Sequence, residues 1–201
     1  DGLNDVRNTE VAVRAVKKNG KTAEANICYT LSPVHTLDSY IRIAKEYEAL
    51  GVTAIHIEDM AGMMTPEQVA DAVREIGKAV QIPIHFHAHC TGGMADICYW
   101  EAIKAGASVV DCTVSSLSLG PAHPPVESIV TALRGTGYEP DMDLDLLEEI
   151  NSYFKKLREK YKEFESKFTG VDISVLKHQI PGGMLSNLES QLKSMDMLNR
   201  I

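Results

Sequence analysis

Four times in succession the chain runs through a stretch of helical spacing, a break and a short strand-like stretch. Val6 to Asn19 places Val6, Val11, Val13, Ala15 and Val16 at helical intervals and ends at Gly20, and Thr22 to Thr30 follows as a strand. Leu37 to Leu50 is a helix stopped by Gly51, with Val52 to Ile57 as the next strand. Pro66 to Val80 begins with Thr65 as N-cap and proline at the first helical position. It leads into a strand that carries His85, His87 and His89. Met94 to Ala105 ends at Gly106, and Ser108 to Thr113 is the fourth strand. Strands that begin near residues 22, 52, 82 and 108, each preceded by a helix, imply parallel pairing with right-handed crossovers.

A closed (β/α)8 barrel takes roughly 250 residues, and this segment supplies half of one. An open dinucleotide-binding sheet normally carries a glycine-rich loop after its first strand, and Thr30-Leu31-Ser32-Pro33 is not such a loop. The expected class is therefore α/β, a half or truncated barrel. The opening at Asp1-Gly2, without an initiator methionine, reads as the exit loop of a missing strand. After the fourth strand comes a Gly/Pro/Ser loop, Leu117 to Pro125, with His123 in it. Pro125 to Leu133 is a short helix closed by Gly135-Thr136-Gly137, and Leu144 to Phe168 is a long charged helix with Leu146, Leu147, Ile150 and Phe154 turned inward. The stretch Gln179 to Asn187 turns into a last helix with Ser186 as its N-cap.

Bulk properties exclude several function classes. A net charge of -8 argues against a dedicated nucleic-acid surface. No run of 18 apolar residues is present, so no transmembrane segment is expected, and no signal peptide is expected either. Cys28, Cys90, Cys98 and Cys112 lack the density of a small secreted scaffold and are read as free thiols, which places the chain in the cytoplasm.

Chemistry gathers at Ile84-His85-Phe86-His87-Ala88-His89-Cys90-Thr91-Gly92-Gly93. Side chains at i and i+2 of a strand point the same way, so His87 and His89 can reach one ion together at a strand's C-terminal end. Glu58 and Asp59 end the preceding strand as acidic neighbours. Two imidazoles, a carboxylate and water suit Zn²⁺, Co²⁺ or Mn²⁺ and leave a position for a substrate carbonyl. His56 points the same way as Glu58 and is read mainly as interior polar filler. His35 and His123 are uninformative by themselves.

Several stretches together resemble the carboxyltransferase domain of biotin-dependent enzymes acting on pyruvate or oxaloacetate. They are Leu3-Asn4-Asp5-Val6-Arg7-Asn8, Tyr29-Thr30 with Ser32-Pro33-Val34-His35-Thr36, Asp59-Met60-Ala61-Gly62, His87-Ala88-His89 and Gly120-Pro121-Ala122-His123-Pro124-Pro125. The most specific is Gln179-Ile180-Pro181-Gly182-Gly183-Met184-Leu185-Ser186-Asn187-Leu188. The family includes pyruvate carboxylase, the oxaloacetate decarboxylase α subunit and the transcarboxylase carboxyltransferase subunit, and the details are most similar to the last.

The resemblance spans the chain and implies the C-terminal half of a TIM (β/α)8 barrel, four βα units in residues 1–137, with the start of a helical C-terminal region in 138–201. It implies a divalent metal on His87 and His89, and biotin borne on a separate carrier domain or protein. It also implies a proton-shuttling hydroxyl at Ser186, with Gly182 and Gly183 beside the biotin, pyruvate and oxaloacetate as substrates, and a homo-oligomer. The family lysine that becomes carbamylated precedes Asp-Met-Ala-Gly, and here that position is Glu58. Glu58 supplies the charge of a carbamate on a shorter arm, so the expectation is a metal retained but more weakly held. The rival readings are an acyl-CoA lyase or synthase of a related metal barrel, against which the Pro-Gly-Gly loop speaks, and a catalytically impaired scaffold module.

Overall fold

A computed structural model describes residues 2–165 and 169–197. The chain divides into two compact units, one of residues 1–60, 64–88 and 97–110, the other of 61–63, 89–96 and 111–201.

The first unit holds a four-stranded parallel sheet. Its elements are α1 (Val6–Lys18), β1 (Glu24–Cys28), α2 (Leu37–Leu50), β2 (Ala54–Asp59), α3 (Pro66–Ala79), β3 (Ile84–Ala88), α4 (Ala95–Ala105) and β4 (Val109–Val110). The strand order is β1-β2-β3-β4. Each strand lies beside its predecessor with no reversal of direction of winding, which is the order of a barrel; a doubly wound sheet reverses at a switch point.

Period two separates the faces of this sheet. Ala25, Ile27, Ile55, Ile57, Ile84, Phe86 and Ala88 are buried, and the helices cover them with Tyr47, Val69, Val73, Ile76 and Tyr99. Each large side chain so buried contributes roughly 1.5–3 kcal/mol. The residues between them form a polar face of Glu24, Asn26, His56, Glu58, His85 and His87. The parallel register sets His56 beside His85 and Glu58 beside His87.

The helices start where their caps dictate. Thr36 caps α2 through the Ser39 N–H, and Thr65 caps α3 in a reciprocal box with Gln68, followed by Pro66. Asn4, at φ 53°, sends its side-chain amide to Cys28, accepting from the backbone N–H and donating to the carbonyl, both at 2.8 Å. It thereby pairs with the edge of β1 as a neighbouring strand would.

β2 ends with Glu58 and Asp59, which pair with His87 and Ala88. β4 is shorter than expected. Thr113, predicted to belong to it, bridges Pro125 in the second unit.

In that second unit α5 (Val126–Leu133), α6 (Leu144–Lys160), α7 (Val175–His178) and α8 (Gly182–Ser194) follow. α6 stops at Lys160; the last part of its expected span, 166–168, lies outside the described residues. Its inward stripe also differs from expectation. Leu147 is buried, but Leu146 is 52% exposed and Ile150 36%. The apolar positions of this helix fall on two stripes, and Asn151, on the Leu147 side, settles which is inward by accepting the Ser116 N–H at 2.8 Å. α8 begins at Gly182, with Pro181 at the cap, so Ser186 sits inside the helix and is not its N-cap. Among the described residues, no helix is long and apolar enough to cross a membrane.

Candidate metal centre

Glu58 and His87 face each other across β2 and β3. Glu58 Oε1 lies 3.9 Å from His87 Nε2, and the two side chains are 18% and 14% exposed. That gap is too wide for a hydrogen bond. Metal–nitrogen and metal–oxygen bonds of about 2.0–2.2 Å add up to slightly more than this separation, so a single ion can bridge the pair. The other Glu58 oxygen is held from β1, where Asn26 Nδ2 donates to Glu58 Oε2 at 2.6 Å and the Cys28 thiol lies 3.8 Å away. Burial, and then the Glu58 charge, push the Cys28 thiol up, so it stays protonated beside the carboxylate.

Asp59 does not join this group. It follows Glu58 on the strand and so points to the helix-covered side, where it is 1% exposed. Its Oδ2 accepts the Met64 N–H at 2.7 Å and fixes the turn after β2. Its role is structural.

His89 directly follows β3 and belongs to the second unit. Its Nδ1 meets the Pro121 carbonyl oxygen at 2.5 Å. A carbonyl only accepts, so Nδ1 carries the proton and, in the neutral ring, Nε2 carries the lone pair. Metal-binding histidines are commonly oriented in this way. The His123 ring stands 4.5 Å from that of His89, tilted by 50°.

The backbone around His89 is packed with no allowance for side chains. A Cβ on Gly62 would lie 2.3 Å from the His89 carbonyl oxygen, and one on Gly92 would lie 1.9 Å from the Gly62 carbonyl oxygen. Cys90 N–H donates to the Ala122 carbonyl at 2.8 Å, tying the loop to the segment that holds Pro121.

Sequence reasoning missed Asn26, the Pro121 carbonyl and the placement of His123. For the last two the only signal was the Gly120-to-Pro125 motif, which shows no metal-ligand spacing to the histidine strand. Ser186, half-buried in α8, donates its hydroxyl to the Gly183 carbonyl at 3.0 Å. Gly182 and Gly183 form the first turn of α8. His35 Nδ1 lies 2.7 Å from Ser32 Oγ within the loop after β1. All four cysteines are free, and burial pushes Cys90, Cys98 and Cys112 up to about 12.

In the first unit His87 offers an imidazole beside a carboxylate that an amide anchors; in the second, His89 offers an imidazole with its tautomer fixed, and both are donor types that suit a divalent ion.

Comparison with known proteins follows the same lines. A family profile described as HMGL-like matches residues 4–153, and one described as a conserved carboxylase domain matches 175–201. A pyruvate carboxylase subunit of Methanocaldococcus jannaschii is 49% identical over all of this chain and 35% of its own length. The methylmalonyl-CoA carboxyltransferase 5S subunit of Propionibacterium freudenreichii subsp. shermanii is 47% identical over 96% of this chain and 39% of its own. Among solved structures, the carboxyl transferase domain of Rhizobium etli pyruvate carboxylase with pyruvate superimposes with a TM-score of 0.94. It is 34% identical, over 100% of this chain and 35% of that one. The chain thus spans little more than a third of the length of these proteins.

Proposed function

Because the chain belongs to the HMGL-like family, with a conserved carboxylase domain at residues 175–201, we propose that it is the part of a biotin-dependent carboxyltransferase that moves CO2 between carboxybiotin and pyruvate or oxaloacetate. The proposed division is a C-terminal half-barrel in 1–137 and the start of a helical carboxylase region in 138–201. His87 and His89, two residues apart on one chain segment, hold the divalent ion, and Glu58 takes the position of the family's carbamylated lysine as a carboxylate ligand. The single observation that carries the metal reading is the tether of His89 Nδ1 to the Pro121 carbonyl.

A divalent ion bound there supplies Lewis-acid stabilisation of negative charge on a substrate carbonyl oxygen. The chain's own residues do the rest. Asn26 holds Glu58 Oε2 and leaves Oε1 toward His87. Pro121 keeps His89 in one tautomer. Ser186 carries a hydroxyl that now donates to the Gly183 carbonyl; turning it outward lets it pass a proton between biotin and the substrate methyl group. Gly182 and Gly183 keep that end of α8 free of side chains beside the biotin.

The biotin arrives on a carrier domain or protein, a reading supported by relatives named as subunits. A homo-oligomer and a cytoplasmic location complete the proposal, the latter supported by the free thiols. A conserved carboxylase match at the C-terminus favours this over an acyl-CoA lyase or synthase.

The test is oxaloacetate decarboxylation by the full chain with free biotin, alongside metal analysis. Ser186→Ala is expected to keep its metal and lose at least about tenfold in biotin-dependent rate, the low end of a general acid–base contribution being larger still. The double variant His87→Ala, His89→Ala is expected to lose both the activity and one equivalent of metal. Decarboxylation indifferent to biotin, or full metal content in the double variant, overturns the proposal.

A further inference from the structure

We propose that Glu24, His56 and His85 form a second divalent-cation site on the polar face of the sheet, distinct from the His87–His89 centre and of the zinc class. Each ligand comes from a different strand, β1, β2 and β3, and the parallel register fixes their relation. His56 is the direct partner of His85, and Glu24 pairs with Ala54, two residues before His56 on the same face. Glu24 Oε2 is 2.9 Å from His85 Nδ1. The His56 ring lies on the His85 ring with centroids 4.1 Å apart and planes 13° from parallel. One donor atom from each of the three residues falls within 4.8 Å of the other two.

Zinc takes imidazole nitrogens at about 2.0–2.1 Å and carboxylate oxygens at about 2.0–2.2 Å, so donors of a tetrahedral site stand about 3.3 Å apart. The Glu24–His85 pair is already near that separation; the His56 and His85 rings, now nearly parallel, must turn about their side-chain torsions before their lone pairs converge on one ion. Glu24, 47% exposed, is free to follow, while the strands that carry the imidazoles are held in register by the sheet. Two histidines and one glutamate leave a fourth position for water, a donor set that suits zinc or cobalt and not the harder magnesium or calcium.

A plain Glu–His ion pair accounts for Glu24 and His85 but gives no reason for a second imidazole from another strand at the same point. Interior filler accounts for His56 alone but not for a carboxylate and two imidazoles with donor atoms within 4.8 Å of one another. A metal accounts for all three together. Its ligands are other residues than those of the carboxyltransferase proposal, with the His56 ring standing edge-on to that of His87 at 5.3 Å.

The experiment is a Co²⁺ titration of the chelator-stripped full chain, followed by equilibrium dialysis with metal analysis and by the visible absorption of tetrahedral cobalt. The parent protein is expected to bind two equivalents. Glu24→Ala, a change at a half-exposed side chain, should bind one. The double variant His87→Ala, His89→Ala should bind one with a tetrahedral spectrum, and adding Glu24→Ala or His56→Ala to it should leave none. Anomalous scattering at the cobalt edge from crystals of the parent protein should give a peak between Glu24, His56 and His85, a measurement that needs no variant. Two equivalents in Glu24→Ala, no cobalt in a double variant whose far-ultraviolet circular dichroism is unchanged, or a parent crystal without that peak would overturn the proposal. Decarboxylase activity, read separately, follows the fate of the His87–His89 centre.

Discussion

Substitution of Gly62 by alanine isolates how tightly the fold holds His89. Gly62 has φ +67°, where an L-residue costs about 1–2 kcal/mol. Its Cβ would also lie 2.3 Å from the His89 carbonyl oxygen and 3.1 Å from Gly92 N, both backbone atoms. A contact of this kind opens to at least about 3 Å, so the backbone at His89 must move by about 0.7 Å, at an overpacking cost of about 1–3 kcal/mol. Gly20 is the natural control: it has φ +68° with nothing within 4 Å, so Gly20→Ala measures the backbone penalty alone. Gly92→Ala, without a positive φ, reports the steric part, its Cβ meeting the Gly62 carbonyl oxygen at 1.9 Å. Urea unfolding should therefore rank Gly62→Ala about 1–3 kcal/mol below Gly20→Ala. Competition with a chromophoric chelator should show metal affinity lowered about 10–100-fold in Gly62→Ala and Gly92→Ala, as for loss of support around a ligand, and unchanged in Gly20→Ala. Equal stability of Gly62→Ala and Gly20→Ala within about 0.5 kcal/mol, with equal metal affinity, would refute the reasoning.

Glu58→Lys replaces a fixed carboxylate by an amine that needs CO2 to become one, so metal binding in this variant should depend on bicarbonate while that of the parent does not. Activity in the variant that exceeds the parent's once bicarbonate is added would show that Glu58 is a poor ligand despite its 3.9 Å approach to His87. The buried thiols give a pH dependence of definite sign. Cys90, Cys98 and Cys112 keep their protons up to about 12 in the fold against an ordinary 9, so the unfolded chain releases protons first. Stability from these groups is whole below pH 9 and is lost as the pH rises toward 12. Tm should fall across that window and fall less steeply in Cys98→Ala; identical slopes would count against burial as the cause.

The parts of this molecule that were legible in the sequence are those fixed by local rules. Thr65 and Pro66 announce α3 because a cap acts within three residues of itself, and the period of two in Ile84 to His89 assigns each histidine to a face without any knowledge of its partner. What a side chain meets on that face is decided by register, which a parallel sheet sets across about thirty residues of intervening helix. So Glu58 could be expected near His87, but the hydrogen bond from Asn26 that anchors it could not, nor the Pro121 carbonyl that orients His89. Ser186 was placed one turn too early because Pro181 and the two glycines resemble a turn, although a proline at φ -56° is already set for the helix that begins behind it. The same consideration bears on His56 and His85. Read along the chain, each is a polar residue at an inward position and nothing more. Read across the ladder, they are direct neighbours with a carboxylate from a third strand on one of them, and it is this sideways relation that gives histidines of apparently indifferent character a chemistry.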